Sequence, residues 1–129
     1  MGRFGVLRRA WGVWVFLLGM LCASGVAQAQ SSSKTFRFES DSDDKIELVL
    51  YSQDRQGYQW PGSGRVYVLD DDETRNIKIS CLGGEKVCYG AWVAGNKRRY
   101  WGSGYNNQQR CTRCCYTCDG GTTPVITLE

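Results

Sequence analysis

The chain contains no histidine. That absence removes Ser-His and Cys-His nucleophile systems, histidine-bearing metalloenzyme centres and the commonest general base. Paired carboxylates are the acid–base chemistry left, since Glu39, Glu47, Glu85 and the acidic run at 70–73 are available. A glycosidase, however, sets two such groups at a fixed separation in a deep cleft. A small domain of thin strands has little room for one. The expectation is a non-enzyme without a cofactor.

No apolar run is long enough for a comfortable bilayer span. The best, residues 11–21, has eleven residues, against a hydrocarbon core of ~30 Å. It follows Arg3, Arg8 and Arg9 and precedes Ala27-Gln28-Ala29, which places small residues at −3 and −1 of a cleavage point. Residues 1–29 therefore read as a secretory signal peptide cut after Ala29, leaving no membrane span. Cys22 follows Gly19-Met20-Leu21, which lacks the residues of a lipoprotein box. Trp11-Gly12 stand after Arg8-Arg9 where a twin-arginine signal has an aromatic and then an aliphatic residue. General secretion is the expected route. The Ala/Gln-rich cleavage region resembles those of Gram-negative bacteria, so the expected destination is secreted or periplasmic.

Neither sign of charge prevails in what remains. Without its three N-terminal arginines the chain has 13 basic and 13 acidic residues. The halves differ: residues 30–73 carry five basic and ten acidic side chains, residues 74–129 eight and three. Nucleic-acid binding, which wants a net basic surface, is not expected. A local anion-facing patch around Lys97, Arg98, Arg99, Arg110 and Arg113 is compatible with this balance. The acidic turns at 41–44 and 70–73 lack the spaced ligands of an EF-hand and read as soluble turns.

Helical spacing is missing too. After a polar leader at 30–34 the pattern has period two almost everywhere. Phe36 and Phe38, then Ile46, Leu48 and Leu50, alternate with polar or outward positions. Val66 and Val68, Ile77 and Ile79, the run Val87 to Val93, and Val125 to Leu128 continue it. Successive strand side chains face opposite ways, so each set offers a core face. Turn signals separate them, among them Pro61-Gly62-Ser63-Gly64, Gly83-Gly84 and Asp119-Gly120-Gly121. These features predict one all-β domain over 30–129, a small antiparallel β-sandwich or barrel of five to seven strands. Residues 102–110 form the longest piece without a strand pattern.

A domain of about 100 residues buries roughly 60–65% of its unfolded surface, a narrow margin. Cysteine supplies the rest. Cys81, Cys88, Cys111, Cys114, Cys115 and Cys118 form an even set in an oxidising compartment, so disulfides are expected. A hairpin with Gly83 to Lys86 as its loop would oppose Cys81 and Cys88 and is the expected bridge between those two. Bridges from residues 111–118 back to either of them also remain open. Metal binding and thiol redox chemistry by the 111–118 cluster are alternatives. Against them, zinc ribbons space their knuckles by about fifteen residues, and no helix follows Cys118.

Aromatics gather in and beside loops. Tyr58 and Trp60 stand beside glycine and glutamine, and Tyr100, Trp101 and Tyr105 beside glycine and asparagine. Flat rings with amide neighbours suit stacking on sugars or anchoring a protein. The expected activity is non-catalytic binding of an envelope protein or glycan. Its surface would comprise Tyr58, Trp60, Lys97, Arg98, Arg99, Tyr100, Trp101 and Tyr105, on a monomer.

Overall fold

Six strands of seven to ten residues form the frame: β1 (Ser31–Ser40), β2 (Ile46–Ser52), β5 (Thr74–Leu82), β6 (Lys86–Val93), β7 (Asn96–Gly102) and β9 (Thr122–Leu128). Three short strands complete it: β3 (Gln59–Trp60), β4 (Tyr67–Leu69) and β8 (Cys115–Thr117). The computed structural model describes Gly2, residues 30–70 and residues 72–129. Apart from Gly2, the expected signal peptide lies outside the described residues.

The strands make two sheets. One has the order β5-β1-β9, and the other runs β3-β2-β6-β7, with β4 also on β2 and β8 also on β6. The second sheet is in effect four strands wide. Its outer strands are each split in two, because β3 and β4 share one edge of β2 while β7 and β8 share one edge of β6. The pairing is antiparallel throughout except that β9 lies parallel to β1. The fold is the expected all-β, sandwich-like, disulfide-bonded domain, with that one parallel pair added.

Period-two alternation places the core between the sheets. Phe36, Phe38, Ile77, Ile79, Ile126 and Leu128 from the first sheet meet Ile46, Leu48, Leu50, Val87 and Ala91 from the second. Phe38 packs edge-on against Tyr89 at 5.4 Å and Phe36 against Tyr116 at 5.7 Å, so aromatic pairs cross the interface. Strand β2 departs from simple alternation, for Val49 and Tyr51 are buried on its other face as well. Together with Trp92 they form a second, smaller cluster, against which Val66 and Tyr105 pack.

The chain passes between sheets at residues 82–86, and here the structure corrects an expectation. Cys81 and Cys88 do not face each other across a hairpin, because β5 belongs to one sheet and β6 to the other. The Gly83-Gly84 turn is real, with Glu85 N–H donating to the Leu82 carbonyl at 2.9 Å, but it is a corner and not a ladder end. The bridges are Cys81–Cys118, Cys88–Cys115 and Cys111–Cys114. Cys88 and Cys115 are register partners on β6 and β8, 3.9 Å apart at Cα.

Candidate functional site

The two tryptophans of the expected ligand surface belong to the frame. Trp60 is only 9% exposed and sits in the main core. Its Nε1 donates to the Ser80 carbonyl at 2.9 Å, reaching from one edge of the larger sheet to the edge strand β5 of the other. Trp101 does the same on the opposite side. It packs against the core, and its Nε1 donates to the Glu129 carbonyl just beyond β9 at 2.8 Å. Both indole N–H groups find carbonyl partners, as partly buried tryptophans require. The period-two reading ended before Trp60 and Trp101, so it could not see that they close the sandwich at its two sides.

The other aromatics behave differently. Tyr58 is 45% exposed, with the Arg55 guanidinium 3.6 Å from its ring centroid and Trp60 edge-on at 5.1 Å. Tyr105 opens a short 3-10 turn, Tyr105–Asn107, and stands edge-on against Trp92 at 5.1 Å. Lys97 Nζ lies 3.7 Å from the Tyr105 ring centroid. Tyr100 is 44% exposed and opposes Trp92 in the ladder. Arg99 is engaged, pairing with Asp44 and lying 5.7 Å from the Trp101 ring. Arg98 is exposed on β7.

These side chains do not form one surface. Tyr58 is beside one edge of the larger sheet and Tyr100 is on the strand at the other, with β2 and β6 between. What brings the two loops together is the outer face of that sheet. Residues 103–107 fold back over β6, with Ser103 N–H donating to the Tyr89 carbonyl at 2.9 Å and Tyr51 Oη to the Gly104 carbonyl at 3.3 Å. The approach is close enough to require glycine. A Cβ at Gly90 would overlap both the Gly104 carbonyl oxygen and the Tyr51 ring.

A groove results between this loop and the 57–66 segment. One part, about 270 Å³, is lined by Tyr51, Ser52, Gly57, Tyr58, Gln59, Asn106 and Asn107. A smaller depression of about 80 Å³ shares Tyr51, Gln59 and Asn106 with it and is bounded also by Val49, Arg65, Val66, Trp92 and Tyr105. Aromatic rings and amides thus stand side by side across two adjoining depressions. Sequence reasoning missed Tyr51, Gln59, Asn106 and Asn107. Tyr51 read as the outer face of a strand, and only the overlying loop makes it part of a wall.

Asn107 also borders a third cavity of about 350 Å³, lined by Gln53, Lys86, Ser103, Gln109, Arg110, Thr112 and the cysteines 88, 111, 114 and 115. The sulfurs of Cys88, Cys114 and Cys115 all lie within 4.8 Å of one another. Each is already bonded, Cys114 to Cys111 and Cys88 to Cys115. A bonded sulfur is not the thiolate that a metal ligand needs.

One buried carboxylate anchors the corner beneath these loops. Glu85 Oε2 accepts from Ser52 Oγ at 2.6 Å and from Arg55 Nε at 2.6 Å. Oε1 accepts from Arg55 Nη2 at 2.8 Å and from Leu82 N–H at 3.0 Å. Burial alone would push the Glu85 carboxyl up, but the bonds from Arg55, Ser52 and the Leu82 amide together hold it below the usual carboxylate range. With every lone pair engaged, Glu85 is structural.

Comparison with family models, curated proteins and solved structures finds no match to this chain.

Proposed function

We propose that this is an exported, non-catalytic binding domain that takes a saccharide in the groove between the 57–66 and 103–107 segments. The observation that carries the reading is the composition of that groove. Tyr51, Tyr58 and Tyr105 border it together with Gln59, Asn106 and Asn107. Sugars present flat apolar C–H faces and rings of hydroxyls, and such a ligand needs aromatic planes and donor–acceptor amides side by side. A protein partner would want a larger apolar patch with a well-packed anchor. Here the large apolar rings, Trp60 and Trp101, are turned inward.

Features that suit an exported domain support the same reading. Three disulfides suit an oxidising compartment. Among the described residues no helix is long and apolar enough to cross a membrane. The N-terminal charge and apolar pattern is that of a cleavable signal.

A glycan array probed with the domain beginning at Gln30 tests the proposal, followed by titration of the best saccharide against variants. Tyr58→Ala and Asn106→Ala, both at exposed positions, are each expected to weaken binding by roughly tenfold, about 1.4 kcal/mol. An array without a specific hit, or wild-type affinity in both variants, overturns the proposal.

A further inference from the structure

The saccharide groove leaves the neighbouring cysteine cavity unused, and its arrangement is unusual. Two separate disulfides touch there, with Cys114 Sγ 3.8 Å from Cys115 Sγ. The three bridges are unequal in surroundings. Cys81, Cys118, Cys88 and Cys114 are buried, whereas Cys111 and Cys115 are partly exposed. Cys111 lines the cavity of about 350 Å³, together with its neighbours Arg110 and Thr112. Its bridge spans a sequence separation of 3, against 27 and 37 for the others. Loop-closure entropy grows with loop length, so this bridge gains least from chain entropy and is the easiest to give up.

We propose that Cys111 is a thiol-exchange site at which a small-molecule thiol of the glutathione class becomes attached, and that Cys114 then trades places with Cys115 on Cys88. In the first step the incoming thiolate attacks Cys111 Sγ. The Cys111–Cys114 bond breaks, a mixed disulfide forms on Cys111, and Cys114 leaves as thiolate. In the second, Cys114 attacks Cys88 Sγ, the Cys88–Cys115 bond breaks, and Cys115 takes the negative charge. No electrons are gained or lost overall, since one disulfide replaces another in each step.

Geometry favours Cys88 as the target. Its sulfur lies within 4.8 Å of both Cys114 and Cys115. Attack on Cys115 instead would join adjacent residues in a strained ring. Cys88 also faces both candidates along the backbone, for it pairs with Cys115 in the ladder while Tyr89 N–H donates to the Cys114 carbonyl at 3.0 Å. Lys86 and Arg110 border the same cavity and favour the thiolate forms that the exchange requires. The Cys81–Cys118 bridge is buried and takes no part.

Two measurements test this, neither involving saccharide binding. Native protein is incubated with reduced glutathione, quenched with an alkylating agent and cut after Arg110 and Arg113, and the labelled cysteines are placed by sequencing the resulting peptides in a tandem mass spectrometer. Glutathione is expected on Cys111, with alkyl label divided between Cys114 and Cys115 and none on Cys81 or Cys118. Native protein that acquires no glutathione at Cys111 overturns the site. The variant Cys111→Ser, checked for an unchanged cooperative melt, leaves one thiol without glutathione. Label on both Cys114 and Cys115 supports the exchange, and label on Cys114 alone overturns it.

Discussion

At the scale of single residues, Glu85 shows how one charged group is held inside a small domain. Its side chain is 1% exposed, while Arg55 remains 31% exposed and lends its other contacts to Tyr58. Because the folded carboxyl titrates below its unfolded value, the pair contributes stability that is fully present above the ordinary carboxylate range. That contribution is lost as pH falls through the depressed folded value. Chemical denaturation from neutral pH downward is therefore expected to show stability declining below roughly pH 4.3, the unperturbed glutamate value. Glu85→Gln should cost on the order of 2 kcal/mol at neutral pH and flatten that decline. A variant with the wild-type pH profile would show that the acid sensitivity comes from other carboxylates.

At the scale of elements, the edge strands explain both what the pattern revealed and what it hid. Strands β1, β2, β5, β6 and β9 cover five of the six alternating runs, at 35–39, 46–51, 76–80, 87–93 and 125–128. Strand β4 takes up part of the sixth, at 65–69, where Leu69 and not Val66 or Val68 is the buried residue. Strand β7 escaped, because Asn96 to Tyr100 are all exposed and so carry no alternation. Its Lys97-Arg98-Arg99 run, which read as a ligand patch, lies on a sheet edge, where lysine and arginine also discourage pairing with another chain. The tryptophans that end or follow such edges do the closing. Trp60→Ala is expected to destabilise by about 3–5 kcal/mol, as loss of a large buried ring does. Melting temperature would read this directly, and an unchanged melt would mean that Trp60 is not a core residue. Trp60 and Trp101 are thus unsuitable probes of binding, and the exposed Tyr58 takes that place.

At the scale of the whole molecule, topology undoes a division that the linear chain displays. The acidic half and the basic half are interleaved, since β1 lies between β5 and β9 and β2 lies next to β6. All three ion pairs among the described residues join one half to the other: Lys34 with Asp119, Arg55 with Glu85, and Arg99 with Asp44. The disulfides follow the same long-range logic. Cys81–Cys118 ties β5 to the segment between β8 and β9 across a separation of 37 residues. Replacing both with alanine should cost roughly 4 kcal/mol on the chain-entropy account. Equilibrium unfolding would measure it. A loss below about 1 kcal/mol would mean that the unfolded chain is already constrained without that bridge.

Period-two hydrophobicity and an even cysteine count were sufficient to specify an all-β, disulfide-bonded domain, because both are local properties that survive without knowledge of who pairs with whom. Partner choice is not local. Whether Cys81 opposes Cys88 depends on whether β5 and β6 share a sheet, and the same Gly83-Gly84 turn serves a hairpin or a corner equally well. The groove is likewise a tertiary product. Phe36 and Ile77 announce a core face by their spacing, but Tyr51, Gln59 and Asn106 become one surface only when residues 103–107 cross over Gly90, which leaves room for them by having no side chain.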